Sequence, residues 1–426
     1  MSKKQIILGA QFPGVNNFTV WSHPEAGSQI AFESFRHLAK TLERGRFDFM
    51  FLAEGLRLRE QKGRIYELDV AGRPNTLAIL SALAGVTDGL GFINTLSSTF
   101  NEPYVLARQL ASFDHLSGGR VGWNVVTSPG AFTGANFRRG DFLPHAERYD
   151  RARAFVDAAR HLWAHPGRDF DLPGIGRGHF GLPENHVYRP VIAQAGDSDG
   201  GRDFAASHAD VIYSRHGTLE EGQAFYRDVK ARVIRHGRPA SALKILPGAH
   251  VILGDTEEEA RHNLRQIRLA QVSPRAAIAL LEQTWNRDLS AYDPDGPLPE
   301  VEPDLGVGQL SLGRTRLHDD VLDTVRKWRT LAEDEGLSIR ELAIRVTARK
   351  HFVGTPESVA ATLDDYVQQD ACDGFVFAPH YTPGGFDRFV DQVVPILQDR
   401  GVFRRDYTEG TLRGNLCLPD PLARAA

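Results

Sequence analysis

Gln11, Glu54, Thr95, Asn124, Ser128, Ser198 and His216 each follow a short apolar run. The clearest case is Gly118 to Ser128, Gly-Gly-Arg-Val-Gly-Trp-Asn-Val-Val-Thr-Ser, where Val121–Val126 reads as a buried strand that stops in Asn124, Thr127 and Ser128. Taken alone, the stretch could equally be a strand entering an ordinary Ser-Pro-Gly turn. Its repetition along the chain favours strands that deliver side chains to one face. Those side chains are mostly neutral. They do not supply enough acids for a hard metal ion, and no lysine ends an early strand to form a Schiff base. Neutral donors and acceptors around a wide mouth suit a large planar heteroaromatic ligand, such as a flavin.

Two further groupings could carry an anion. Gly196-Asp-Ser-Asp-Gly-Gly201 leads into a helix, and glycine-freed N–H groups at a helix start can cradle a phosphate. The alternative is a capped helix with a flexible lead-in, which Asp197 and Asp199 favour because carboxylates repel phosphate. A phosphate there would use backbone groups and the Ser198 hydroxyl, with Asp197 turned away. His145 and Tyr149 are four apart, on one helical face beside the mouth. They could grip a second edge of the same phosphate or simply pack. Glu54 could accept a hydrogen bond from a ring N–H or sit solvated in its loop. His216 is the strand-end histidine that could move a proton.

The elements that position these groups alternate. Strands are expected at 6–11, 49–52, 91–94, 121–126, 191–195, 211–214, 243–253 (interrupted by Pro247 and Gly248) and 374–377. Helices at 30–44, 76–84, 103–116, 145–164, 219–236 and 256–270 follow from three- and four-residue apolar spacing. Strand, helix, strand demands a right-handed crossover and a parallel sheet, and eight such units close most economically into a (β/α)8 TIM barrel. An open doubly wound sheet would want a glycine fingerprint after the first strand, where this chain has Gln-Phe-Pro-Gly. Gly174-Ile-Gly-Arg-Gly178 follows no strand and reads as loop, like the rest of 165–189. Residues 1–426 therefore form one barrel domain, with 271–350 as an insertion or lid between strands seven and eight and 401–426 as a tail. Trp21, Tyr66, Phe132, Trp285 and Trp328 could line an apolar pocket or pack.

Composition bounds the remaining classes. The chain has 426 residues, 42% hydrophobic and 24% charged, with a net charge of −4, so no basic field invites nucleic acid. No apolar run is long enough for a membrane span, and no signal-like segment opens the chain. Two cysteines, Cys372 and Cys417, without a CxxC, exclude a disulfide framework and point to the cytoplasm. The 16 histidines fall in no zinc spacing, so no metal site is expected.

Several motifs occur together and in order: Gly118–Ser128, Ala146-Glu-Arg-Tyr-Asp-Arg-Ala152, Gln194-Ala-Gly-Asp-Ser198, Gly354-Thr-Pro-Glu357, Asp373-Gly-Phe375 and Tyr407 with Thr411-Leu-Arg413. With them the chain resembles, over about 5–418, the nitrilotriacetate monooxygenase component A group of the bacterial-luciferase-like flavin-dependent monooxygenases. That group includes dibenzothiophene-sulfone, long-chain-alkane and dimethyl-sulfide monooxygenases. The resemblance implies a luciferase-like barrel that takes reduced FMN from a separate NAD(P)H:flavin reductase. It also implies reaction of the flavin with O2 to a C4a-(hydro)peroxide that oxygenates a small organic substrate at a C–N, C–S or aromatic carbon. By position, Glu54, Thr95 and Asn124 would contact the isoalloxazine or ribityl chain, with His145, Tyr149 and Ser198, beside Asp197, toward the phosphate. Glu54 stands where the group more often has aspartate. A homodimer or homotetramer is expected on the same basis. Three alternatives keep a barrel. One is a deazaflavin (F420)-dependent hydride-transfer enzyme, which would want basic residues such as Arg138, Arg139, Arg177 and Arg215. Another is a non-catalytic flavin-binding barrel. The third is an aldolase-like phosphate barrel whose lysine could only be Lys244.

Overall fold

The structure, a computed structural model, describes residues 3–420 except 14–18, 67–68, 129–130, 138–143, 185, 307–308, 314–319 and 349–350. Eight parallel strands form a closed barrel: β1 (Ile7–Gln11), β2 (Phe49–Leu52), β3 (Gly91–Ser97), β4 (Val121–Val126), β5 (Val191–Gln194), β6 (Val211–Ser214), β7 (Lys244–Leu253) and β8 (Gly374–Phe377). Each strand pairs with its neighbour in sequence, and β8 closes on β1 through Ile7 opposite Gly374. The helices α1 (Phe32–Arg44), α2 (Thr76–Ala84), α3 (Pro103–Ser117), α4 (His145–Ala164), α5 (Asp199–His208) and α6 (Leu219–Arg235) return the chain between strands.

Period-two alternation sorts the strands' side chains. Ile7, Phe49, Phe51, Ile93, Val191, Ala193, Val211, Leu246 and Val376 pack together in the lumen. Their outward neighbours, among them Leu8, Met50, Leu52, Phe92, Trp123 and Ile212, pack under the helices. The lumen is filled by unequal residues in layers: a Cβ on Gly9 would lie 2.3 Å from the Phe49 ring, so glycine on β1 makes room for the phenylalanine on β2. Helix starts follow capping chemistry. Thr218 and Glu221 form a reciprocal capping box at α6, and Thr355 caps the helix Pro356–Gln368, whose proline sits in the first turn.

The structure departs from the sequence reading in four places. β7 is not interrupted at Pro247 and Gly248; it runs through them and changes partners there. Lys244–Pro247 lie against β6, Gly248 and Ala249 against β8, and His250–Leu253 against an unforeseen strand, His351–Gly354. Segment 165–189 is not all loop: Asp169–Leu172 and Gly176–His179 form a hairpin, with Gly174 turning at φ 72°. The insertion builds its own apolar cluster from the helices Pro274–Trp285, Val321–Glu335 and Ile339–Thr347. Trp285 and Trp328 belong to that cluster, 6.1 Å apart, with the Trp285 indole donating to the Val301 carbonyl; they pack and line no barrel pocket. Finally, the tail is structural. Leu412, Leu416 and Leu418 join the lumen cluster, and the Leu412 N–H donates to the carbonyl of Gly119 just before β4. The tail thus plugs the amino end of the barrel.

Candidate active site at the carboxyl end of the barrel

Register brings the β3 and β4 side chains level. Thr95 lies opposite Asn124, and Asn124 opposite Ala193 on β5. Asn124 is buried and donates from Nδ2 to the Thr95 hydroxyl at 3.1 Å. Its Oδ1 is buried and receives no hydrogen bond. Ala193 beside it is too small to fill the space. Tyr213, on β6, has its ring 5.0 Å from Phe51 across the lumen. Its hydroxyl is also buried without a partner, and burial holds the phenol well above its ordinary pKa. Buried polar atoms in native folds are nearly always paired. An orphaned acceptor on β4 and an orphaned hydroxyl on β6 therefore fit a ligand that carries both N–H and C=O groups.

Glu54 stands at the rim just past β2. Asn75 donates to its carboxylate at 2.7 Å, and the same side chain caps α2 through the Ala78 N–H. Burial pushes the Glu54 carboxyl up to about 7, only partly offset by hydrogen bonds from the Thr76 backbone and Asn75. The folded carboxyl therefore holds its proton more tightly than an unfolded one at 4.5, and stability is lost as pH rises between about 4.5 and about 7. Glu54→Gln is expected to match the wild type in urea melts at pH 4 and to exceed it at pH 8. Equal stability at both pH values would remove the desolvation argument.

Three residues past Ala193, about 10 Å of extended chain, the backbone turns at Gly196. Gln194 accepts the Gly196 N–H at 2.9 Å, and Ser198 caps α5 by accepting the Gly201 N–H at 3.1 Å. A Cβ on Gly201 would lie 2.9 Å from the Gly196 carbonyl oxygen, and one on Gly196 would lie 3.2 Å from the Tyr149 hydroxyl. The turn therefore needs both glycines, and the Tyr149 hydroxyl stands beside it. Asp197 turns its carboxylate toward Arg215 at 4.0 Å, while its carbonyl accepts from Arg202. Burial raises the Asp197 carboxyl, offset by Arg215 and Arg202. His145 opens α4, but its side chain lies outside the described residues, as do Arg138 and Arg139. His216 lies past β6 with its ring 5.7 Å from Phe225 of α6. Ser128, past β4, is half-buried.

Sequence reasoning missed a group past β8. His380 and Tyr381 follow Phe377-Ala-Pro, and the Tyr381 ring stacks on His23 at 3.7 Å. Burial, with His23 and His351 nearby, lowers His380 to about 4, so it is neutral at pH 7. The signal was a polar pair directly after the last strand, the same pattern used for the other strands. Arg73 was missed for another reason: its loop, 55–75, reads as charged and solvated. The structure ties that loop to the insertion. Lys62 pairs with Glu282 at 2.6 Å and Asp288 at 2.5 Å, and Ser311–Leu312 pair with Glu60–Gln61.

Comparisons with known proteins bear on the family and the fold. The Luciferase-like monooxygenase family matches residues 15–371. The chain is 37% identical to the N-acetyl-S-(2-succino)cysteine monooxygenase of Bacillus subtilis (strain 168), covering 100% of this chain and 99% of that protein. It is 34% identical to nitrilotriacetate monooxygenase component A of Aminobacter aminovorans, covering 99% and 98%. The crystal structure of DmoA from Hyphomicrobium sulfonivorans superposes with a TM-score of 0.79 at 27% identity, covering 99% of this chain and 96% of that one. The chain belongs to the luciferase-like monooxygenase family and is a flavin-dependent monooxygenase.

Proposed function

We propose that the lumen floor and the Gly196–Ser198 turn hold reduced FMN, supplied by a separate reductase. The flavin, with O2 as co-substrate, supplies the oxygen chemistry, and one oxygen atom enters a small organic substrate. The observation that carries the placement is the orphaned Asn124 Oδ1, an acceptor awaiting a ring N–H, with the unpartnered Tyr213 hydroxyl two strands away on β6. Thr95 accepts from Asn124 Nδ2, which leaves Oδ1 as the open acceptor of the amide. Glu54 lies at the rim for the ring or ribityl chain. The start of α5 offers its N–H groups and the Ser198 hydroxyl to the phosphate, with Tyr149 across the turn. Asp197, drawn toward Arg215, is held off that anion.

The insertion's contacts with the 55–75 loop support a cover over the mouth, which would exclude water from the reaction. The name "component A" borne by one relative supports a reductase partner. Two free cysteines, one of them buried, accord with a reducing cytoplasm. No described helix is long and apolar enough to cross a membrane.

Removing one hydrogen bond to the phosphate should weaken reduced-FMN binding by about 1 kcal/mol. Tyr149→Phe is expected to show this in anaerobic fluorescence titrations without loss of stability. Ser198→Ala is expected to show it together with a cap loss of about 1 kcal/mol in urea melts. Unchanged affinity in both would misplace the phosphate. The two-component assignment is tested by oxygen uptake with NADH, FMN and a generic flavin reductase. Substrate oxygenation should require the reductase and should persist when a dialysis membrane permeable to FMN separates the two proteins.

A further inference from the structure

Among the described residues, half-buried Arg268 also carries an unpaired Nε with no acid offsetting its burial, but the more deeply buried Arg404, Arg413, Lys230 and Arg120 are answered. Arg404 meets Asp48 at 2.5 Å, Arg413 meets Asp210 at 2.7 Å and Lys230 meets Asp373 at 3.1 Å. Arg120 donates instead to the carbonyls of Ser117, Leu90 and Ala84 and to the Thr87 hydroxyl. Arg73 has neither solution. Its two hydrogen bonds both leave Nη2, to the Pro13 carbonyl at 2.6 Å and to Gln29 Oε1 at 3.4 Å. Its Nε is buried and donates to nothing. The guanidinium lies 5.3 Å from the Phe12 ring centre. Burial lowers it to about 10, with no acid among the described residues offsetting the shift. Where Arg120 spreads its charge over four acceptors, Arg73 has two at a single nitrogen and an unpaired Nε, an arrangement that is unfavourable unless something else brings acceptors or a counter-charge.

Its place in the fold says where that charge would come from. Pro13 follows β1, and Gln29 donates to Thr382 beyond β8. Arg73 is two residues before Asn75, which holds Glu54 at the end of β2. The cation thus sits at the junction of the β8, β1 and β2 carboxyl ends, on the mouth. Among the described residues no acid makes an ion pair with it: Glu25 accepts from the Tyr381 hydroxyl at 2.7 Å and Glu54 from Asn75 at 2.7 Å.

We propose that Arg73 is the recognition group for an anionic, carboxylate-bearing substrate, whose carboxylate completes the ion pair that the chain leaves open. The inference rests on the mouth being the substrate site, as proposed above. Arginine suits the task because its planar fork matches a carboxylate in two bonds.

The probes are thiodiacetate and phenylacetate against the corresponding amides, titrated calorimetrically into the full-length enzyme. Wild type is expected to bind at least one acid about tenfold or more tighter than its amide. Arg73→Gln should erase that preference, and Arg73→Lys should restore part of it. Ligand-free Arg73→Gln should melt at or above the wild-type temperature, because an uncompensated charge is removed; a lower melting temperature would mark a loop clamp and overturn the proposal. So would a wild type that prefers neither acid. Anaerobic reduced-FMN affinity should be unchanged in Arg73→Gln; a fall would mean that the answering anion is the flavin's own and would also overturn it. If wild type fails to bind reduced FMN at all, the FMN reading fails, while the acid–amide comparison still judges Arg73.

Discussion

Arg413→Met is expected to cost the fold roughly 3–5 kcal/mol, read as a shift in the urea midpoint, because it strands a buried carboxylate. Asp210 precedes β6 and is almost fully buried. It accepts the Ile192 N–H at 2.9 Å and pairs with Arg413 at 2.7 Å, while Arg238 lies 3.7 Å away. Arg413 sits in the tail, between the leucines that plug the lumen, so the ion pair fastens the plug to the amino ends of β5 and β6. Burial opposes ionisation of Asp210, but Arg413 and the other partners win and hold its carboxyl below the ordinary value. A depressed folded pKa means stability that is present above the unfolded pKa and lost as pH falls through the folded one. The penalty of Arg413→Met should therefore shrink in acid. Asp210→Asn combined with Arg413→Met should cost clearly less than the sum of the single changes, since each alone leaves a partner unanswered. A full-cost double variant would show that the tail acts by packing alone.

Asn124→Leu is expected to weaken reduced-FMN binding by roughly 10- to 100-fold, the scale of about 1.5–3 kcal/mol for a hydrogen-bonding group buried against a ligand. The fold should hardly notice. The substitution removes an orphaned acceptor from the lumen floor, which relieves the free protein, and the Thr95 hydroxyl that loses its donor can rotate. Separating the two readouts is the point: a residue that merely packs would lose stability first. Unimpaired binding, or a stability loss of several kcal/mol with binding intact, would move the flavin away from β4.

The barrel was legible because its strands are short apolar runs with abrupt ends. β2, β4, β6 and β8 lie where the sequence alone puts them. What was not legible depends on partners far away in the chain. His351–Gly354 has no pattern of its own; it is a strand because the distal half of β7 offers it an edge. Pro247 reads as a breaker, yet it is tolerated where β7 passes from one neighbour to the next. The tail's leucines look like any amphipathic end until the lumen is seen to need a plug. At the proposed site, Asn124, Thr95 and the Gly196–Ser198 turn were candidates from residue type at strand ends, and the structure pairs Asn124 with Thr95. Tyr213 was not, because a tyrosine inside a strand reads as packing. Arg73 was not, because a lone arginine in a charged loop shows its lack of a counter-ion only in three dimensions.

The same geometry bears on the deazaflavin alternative. Arg177 is spent on Asp171 in the exposed hairpin, and Arg215 is largely exposed and leans toward Asp197. Neither extends a basic groove for a long anionic tail. Lys244 opens β7 at the amino end of the barrel, far from where an aldolase-like lysine would work.

The most direct test of the account is an anaerobic equilibrium titration of the purified protein with reduced FMN, oxidised FMN and a reduced deazaflavin, followed by flavin fluorescence, in wild type and Asn124→Leu. The account predicts that reduced FMN binds most tightly and that Asn124→Leu loses that binding by at least tenfold while keeping its urea midpoint. Binding of the deazaflavin in preference to reduced FMN, or the same reduced-FMN affinity in both proteins, would contradict it.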